Sequence, residues 1–333
     1  MSTEPDLPIV SIAIPMLNEA RYIVACLDSF AGQDYPKDRL DVMVIDGGSD
    51  DGSPLVVEAY ARDNPWVRLV PNPTGTASAA FNIGIEQARG SMVGLFSSHG
   101  VADPTYISAS VAALGEAGVA GVGGRYRHEG TTPKSTAIGL AMVNKVGMAS
   151  PHRFATEARD VDTISHPIYW RQAMIDVGGF DEALMRNSDY EFNIRMRKAG
   201  HRLRFEPLVG SVYRPRRNLN ALFRQFWFYG KWKARVVQQH PEHARLRHFV
   251  APITAAGFAL SPVAWRWRRL RPLLIAAGVA YGGVVAYGVT SADTDGKDVS
   301  LPTLAAAYPT MHLAWGAGFI RTVIARLFGE TEQ

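Results

Sequence analysis

The chain has 333 residues, 47% of them hydrophobic, and a formal net charge of +4. This is enough for one large core plus an appendage, and it excludes general disorder. The single cysteine, Cys26, excludes an internal disulfide framework and a Cys-based zinc cluster, and it fits a reducing compartment.

The first seven residues are polar and acidic, and residues 9–15 are too short for a signal core, so the amino-terminal domain is expected to stay in the cytoplasm. Residues 9–14 (IVSIAI), ended by Pro15, and residues 41–45 (DVMVI), ended by Asp46-Gly47-Gly48, predict two buried parallel strands. Between them, residues 19–30 place Tyr22, Ile23, Cys26, Leu27 and Phe30 at helical spacing. A helix over 53–62, a strand at 66–70, a helix over 78–88 and a strand at 91–96 continue the alternation. The pattern predicts a doubly wound α/β sheet with right-handed crossovers, whose ligands bind beyond the carboxyl ends of the strands. The loops at Pro15, Asp46, Asn72 and Ser97 are therefore the ones to inspect.

Charge is uneven along the chain. Residues 201–250 hold eleven Lys or Arg against Glu206 and Glu242, a net +9 that leaves the remainder at about −5. Such a basic, aromatic-rich segment suits nucleic acid, anionic lipid or diphosphate, and charge does not choose among them. After about residue 240 the composition turns apolar. Residues 249–265 carry Pro252 and Pro262 and precede RWRRLR at 266–271, which favours an interfacial or re-entrant helix. Residues 272–290 and 301–320 each have the length of a spanning helix and form a self-consistent hairpin. Its acidic loop 291–300 would lie outside, with Arg321 and Arg326 inside. A soluble helical appendage or an oligomer interface is the alternative.

The segment VIDGGSDDGS at 44–53 sets three acids in a Gly-rich turn directly after a strand. A carboxylate there can accept the imide hydrogen of a uracil or a ribose hydroxyl, and the glycines permit close backbone approach. A plain turn with a helix cap is the other reading, and the glycines are not placed as a GxGxxG phosphate cradle.

IPMLNEARYI at 14–23 followed by VIDGGSDDGS resembles the nucleotide-binding opening of family 2 glycosyltransferases. The resemblance continues through PNPTGTASAAFNIGIEQARG at 71–90, GGFDEALMRNSDYEFNIRMRKAG at 178–200 and YRPRRNLNALFRQFWFYGKWK at 213–233, covering about residues 8–235. It implies a GT-A, Rossmann-like mixed sheet over residues 1–240 and a helical, membrane-associated region over 241–333. By that resemblance Pro15, Glu19 and Ser98 belong to the donor site, Asp46 accepts from the base, and Asn82 lies at the diphosphate edge. Helix capping or a solvated face is the alternative for Glu19 and Asn82.

Asp189 matches the family's catalytic acidic position, with Glu191 as understudy; a cap at the start of a helix over 190–198 is the alternative for Asp189. An inverting transfer needs one carboxylate to take the acceptor's proton while its oxygen attacks the anomeric carbon. The family often has Glu-Asp here, whereas this chain has Ser188-Asp189. After the fourth strand the family places Asp-x-Asp, or Asp-x-His in the succinoglycan-like subgroup, to hold Mg²⁺ or Mn²⁺. This chain reads Phe96-Ser97-Ser98-His99, which leaves His99 as the one candidate metal ligand. Weaker metal dependence, neutralisation of the leaving group by basic side chains, and donor binding without turnover are the three consequences open to it.

Arg224, Gln225, Lys231 and Lys233 fall in RQFWFYGKWK, which resembles the family's element near acceptor and diphosphate, where cations would stabilise the leaving group. Phe226, Trp227, Tyr229 and Trp232 would stack on a sugar or sit among headgroups; an amphipathic helix packing its aromatics inward is the alternative. His166-Pro167 is a candidate to shape the acceptor pocket, with a packed or capping histidine as the alternative, and the loop at 178–181 resembles the family's sugar-pocket loop. The expectation is an inverting glycosyltransferase at the cytoplasmic face of the cell membrane, using a UDP-sugar foremost and a lipid-linked saccharide or surface polysaccharide as acceptor. A catalytically silent sugar-nucleotide-binding scaffold is the alternative, and nucleic acid is not an expected partner.

Overall fold

The computed structural model describes residues 7–147 and 156–328. The first six residues, which bear on the leader expectation, and the last five of the expected 241–333 region lie outside the described residues.

Four parallel strands, β1 (Val10–Met16), β2 (Leu40–Asp46), β3 (Val67–Pro71) and β4 (Met92–Leu95), lie in the order β3-β2-β1-β4. Their side chains alternate between two cores, as a period of two dictates. Val10, Ile12 and Ile14 of β1 join Val42 and Val44 of β2 in one, while Ala13, Met43 and Ile45 join the other. Helices α1 (Ile23–Ala31), α2 (Ser53–Asp63) and α4 (Tyr106–Leu114) cover the first face. Helices α3 (Ala77–Gln87), α6 (Arg171–Asp176) and α7 (Ser188–Lys198) cover the second. The sheet continues with β8 (Ile168–Trp170), antiparallel to both β4 and β6 (Val119–His128), and then β9 (Arg202–Tyr213). The short strands β5 (Val101–Ala102) and β7 (Arg159–Asp160) pair antiparallel with β9. The expected doubly wound mixed sheet is thus present.

Two boundaries differ from the sequence reading, and each has a local cause. Strand β1 runs through Pro15 to Met16 because β4 pairs only as far as Ala13 and Leu95. Ala13 accepts from Phe96 and so faces β4; Pro15, two residues on, points its missing N–H to the same side, past the end of that ladder. Helix α1 starts at Ile23 rather than at residue 19, because the backbone of residues 18–20 is taken up by the loop after β2.

The chain divides into two compact units: residues up to Arg127 with Pro151–Tyr213, and His128–Ser150 with Arg214–Gln333. Residues 214–240, expected within the first domain, group with the second unit. Its helices are α5 (Pro133–Val143), α8 (Leu219–Gln239), α9 (Arg247–Ala264), α10 (Arg271–Thr290) and α11 (Leu301–Leu327). Helix α5 starts in a capping box of Thr132 and Ser135, and α8 starts with Asn218 accepting from the Ala221 N–H at 2.9 Å. Helix α11 packs on α5, α8 and α9, burying Leu304, Tyr308, Met311 and Phe319. Among the described residues one stretch, Arg268–Thr290, is long and apolar enough to cross a bilayer. The other half of the expected hairpin, 301–320, is instead the buried centre of its unit.

Candidate active site

The loops after β1 and β2 are laced together. The Asn18 and Glu19 N–H groups donate to the Ser49 and Ser53 hydroxyls, both at 2.9 Å, and the Ala20 N–H donates to Asp51 Oδ2 at 3.0 Å. In return the Asp50 N–H donates to Asn18 Oδ1 at 2.9 Å, which is possible because Asn18 adopts φ +57°. Asp51 also accepts from the Ser53 N–H and hydroxyl, closing the start of α2. The motifs that carry the family resemblance at 14–23 and 44–53 therefore form one rigid shelf at the carboxyl ends of two parallel strands, the crevice position of such sheets. Pro15 is half-buried in its floor. The Asp46 carboxylate accepts from the Gly48 N–H at 3.1 Å, the Ser49 N–H at 3.2 Å and the Ser49 hydroxyl at 2.6 Å. A carboxylate has about four acceptor sites, so capacity remains for one further donor.

Beyond β4, Ser97 Oγ lies 3.0 Å from His166 Nε2, and His166 Nδ1 lies 2.9 Å from Ser211 Oγ. His166 is buried at φ +40°, 4.0 Å from the Phe96 ring centroid and 4.5 Å from that of Tyr126, and its carbonyl accepts from the Tyr106 hydroxyl. Burial first, and the neighbouring His99 second, hold this imidazole well below its ordinary pKa. It is therefore neutral, with one donor and one acceptor nitrogen, so one serine donates to it and the other accepts from it. Ser98 is buried beside this network in the chain. His99 Nδ1 lies 3.2 Å from Glu19 Oε1, tying the end of β4 to the shelf, and its ring meets Tyr213, which stacks on Tyr126 at 5.8 Å.

This set does not make a metal site by itself. A hard divalent cation takes about six ligands, mostly oxygen, including carboxylates. Glu19 and His99 face each other, buried His166 is held between Ser97 and Ser211, and no three His, Cys, Asp or Glu that could hold a metal converge among the described residues.

On α3, the Asn82 amide is engaged by the 179–182 loop. Its nitrogen donates to the Phe180 carbonyl at 3.0 Å and Glu182 Oε1 at 2.8 Å, and its oxygen accepts from the Phe180 N–H at 2.7 Å. Gly178 and Gly179 take positive φ there, and a Cβ on Gly179 would lie 2.7 Å from Asn82 Oδ1. Asp189 is exposed in the first turn of α7, where the helix dipole favours a carboxylate. Buried Tyr169 has its hydroxyl pKa raised by burial and then by the Asp189 charge, and it donates to Asn193 at 2.7 Å. Glu191, the expected understudy, is buried in a bidentate pair with Arg195 at 2.7 and 2.8 Å, which leaves Asp189 as the available carboxylate of this turn.

In the second unit, Gln225 is buried, accepting from Arg216 at 3.2 Å and donating to Tyr229 at 2.9 Å. Trp232 is 3% exposed and lies under the Arg235 guanidinium, so it packs inward and has no face for a sugar. Arg224 is exposed and Lys231 half-buried on the same helix. No sequence signal marks Ser211 or Tyr126, and Tyr213 figures only as the first residue of the 213–233 stretch; strand pairing brings them to the end of β4.

A sequence profile described as Glycosyl transferase family 2 matches residues 11–179. The chain is 30% identical over 320 residues to "Succinoglycan biosynthesis protein ExoA" of Rhizobium meliloti (strain 1021), covering 94% of each protein. It is 24% identical to a dolichyl N-acetyl-alpha-D-glucosaminyl phosphate 3-beta-D-2,3-diacetamido-2,3-dideoxy-beta-D-glucuronosyltransferase of Methanococcus voltae, over 69% of this chain and 74% of that protein. Among solved structures it superposes on the mannosyltransferase PcManGT from Pyrobaculum calidifontis, in complex with GDP-Man and Mn²⁺, with a TM-score of 0.68 and 20% identity. That match covers 95% of this chain and 87% of the other. A second, to S. aureus TarS 1-349 in complex with UDP-GlcNAc, has a TM-score of 0.52, 16% identity and coverage of 97% and 93%.

Proposed function

The chain belongs to glycosyl transferase family 2, and on that premise we propose that it transfers a sugar, with inversion, from a nucleotide sugar to a saccharide acceptor at the cytoplasmic face of a membrane. The observation that carries this reading is the shelf of residues 18–20 and 46–53, a preorganised acceptor surface beyond the strand ends, with Asp189 exposed on the same unit.

In this reading Asp46 accepts from the nucleobase and Pro15 floors the site. The Glu19–His99 contact and the Ser97–His166–Ser211 network fix the chain around the donor, and at Ser97 a neutral hydroxyl stands where the family pattern has its first acid. Asp189 takes the proton of the acceptor hydroxyl as that oxygen bonds to the anomeric carbon and the bond to the diphosphate breaks on the opposite face. Arg224 and Lys231 are proposed to favour the departing diphosphate by their charge. No step is routed through a metal, because the residues at the end of β4 do not make a ligand set. A UDP-sugar is the proposed donor, since a carboxylate at Asp46 complements a uracil imide, and a lipid-linked saccharide or growing polysaccharide is the proposed acceptor.

The test is a nucleotide-sugar panel screened by thermal shift, followed by transfer to membrane-extracted acceptors by the wild type and Asp189→Asn. Donor stabilisation of both proteins with turnover only in the wild type supports the reading. Equal turnover by Asp189→Asn would remove its base.

A further inference from the structure

We propose that the α9–α10 helix pair is a monotopic anchor that lies in one leaflet with its arginine turn on anionic phospholipid, so that the 291–300 loop stays on the cytoplasmic side. This rests on the membrane part of the reading above and changes the topology that the sequence suggests.

The two helices form a projecting hairpin within the second unit. From Ala256 onward α9 buries no side chain, and α10 buries only Gly288, with Leu274, Tyr281, Val285 and Val289 half-buried. A Cβ on Gly257, Gly278, Gly282 or Gly283 would meet nothing within 4 Å. The helices touch each other, with the Phe258 and Tyr281 rings 5.2 Å apart. Outward they present Ile253, Leu260, Val263, Leu273, Ile275 and Val279, an apolar surface that water does not favour. At the bend sit Arg266, Arg268, Arg269 and Arg271, together with Trp265 and Trp267, both exposed. Arg271 closes the bend by donating to the Trp265 carbonyl at 3.0 Å and lying over its ring. Tryptophan and arginine side by side are the residues of an interface with anionic headgroups, and four arginines at the tip oppose passage of the tip through hydrocarbon.

The other end of α10 cannot cross alone. Asn144, at the end of α5, donates to the Gly288 carbonyl at 3.2 Å and the Ser291 hydroxyl at 3.0 Å. Tyr308 donates to the same Gly288 carbonyl at 2.7 Å, and the Ser300 N–H donates to the Pro133 carbonyl at 3.1 Å. These bonds hold both ends of the 291–300 loop to α5. Four residues, 129–132, join α5 to β6, a strand of the catalytic sheet. Fully extended they reach roughly 18 Å, whereas the hydrocarbon core is roughly 30 Å thick. A loop bonded to α5 therefore stays on the side of the catalytic sheet, and both the tip and the loop face the cytoplasm.

Cysteine labelling of the full-length protein tests this directly. The one native thiol, Cys26, is buried, which holds its pKa far above the ordinary range and leaves it inert to a maleimide. Arg268→Cys, at an exposed position, and Thr294→Cys, at a half-buried one in the 291–300 loop, are expressed in cells and treated with a membrane-impermeant maleimide. Neither is expected to label in intact cells, and both are expected to label in inverted vesicles. Labelling of Thr294→Cys from outside intact cells would show α10 spanning, and labelling of Arg268→Cys from outside would show the hairpin crossing tip first; either overturns the proposal. In sedimentation with purified protein, vesicles of phosphatidylcholine with about one-third phosphatidylglycerol should bind better than phosphatidylcholine alone, and Arg268→Gln with Arg269→Gln should weaken that binding about 30-fold. Binding that ignores both lipid charge and these substitutions overturns the headgroup contact. Absence of the wild type from salt-washed membranes sinks the membrane reading itself, and transfer activity is scored separately.

Discussion

Asn82→Ala separates two roles for a residue that the family pattern places at the donor diphosphate. The amide makes three hydrogen bonds to the 179–182 loop, two of them to the backbone of Phe180, which is 4% exposed. Truncation leaves the Phe180 N–H and C=O without these partners, at roughly 1–3 kcal/mol for each buried group, offset where water enters. A net loss of about 2–4 kcal/mol follows, which for a unit of this size lowers Tm by roughly 5–15 °C. Gly179 supplies the control. At φ +65° an alanine there costs about 1–2 kcal/mol of backbone strain, and its methyl would press on Asn82 Oδ1 at 2.7 Å. Removing the Asn82 side chain relieves the contact but not the strain, so the double variant should be more stable than the sum of the singles implies. The assay is thermal unfolding of the four proteins of the cycle, with donor affinity measured by titration calorimetry below the lowest Tm. An unchanged Tm for Asn82→Ala combined with a tenfold or greater loss of donor affinity would refute the clamp and restore the diphosphate role.

Asp189→Asn should lower kcat by roughly 10²–10⁴ while leaving Tm and donor affinity close to wild type, measured by radiolabelled transfer and thermal shift. Glu191→Gln should do the reverse. It breaks a buried bidentate pair with Arg195, so unfolding should show a loss of about 1–3 kcal/mol, with kcat per folded molecule retained. His166 yields a pH signature. Its folded pKa is depressed below the unfolded value of about 6.5, so the unfolded state binds the extra proton, and stability falls as pH drops below that value with a slope of up to about 1.4 kcal/mol per pH unit. His166→Asn, which tolerates the positive φ, should flatten this part of the Tm-against-pH curve; an unaltered curve would show that another group titrates there.

The first half of the sheet was legible because β1, β2 and α1 announce themselves by periodicity, and the shelf was legible because both of its motifs are contiguous in the chain. The bonds between those motifs join residues about thirty positions apart, and only the parallel register of β1 on β2 brings Asn18 beside Ser49. The Ser97 network was not legible at all. Ser97 follows β4, His166 precedes β8 and Ser211 lies in β9, with no fixed spacing among them. From the sequence, Ser97 is a missing acid; in the fold it is one end of a neutral relay whose other end is another serine. On α8 the same ambiguity ran the other way, since aromatic residues that suit a sugar also suit a core, and the helix turns Phe226 and Trp232 inward.

Helices α10 and α11 show why composition could not settle the appendage. Both are rich in Ala and Gly, and each has the length of a span. On α10 the glycines at 278, 282 and 283 face open space, so they contribute only a smooth, weakly apolar surface. On α11, by contrast, an added Cβ at Gly316 would lie 2.2 Å from the Ala251 carbonyl, and at Gly318 2.1 Å from that of Trp227. Those absences of a side chain allow α9 and α8 to seat directly on α11, and that seating buries Leu304, Met311 and Phe319. A small residue thus has opposite consequences according to whether a neighbouring backbone reaches it, and a hydropathy profile contains no neighbour. It is the packing of α11, fixed by two glycines, that leaves most of α10 and the outer half of α9 as exposed apolar surface.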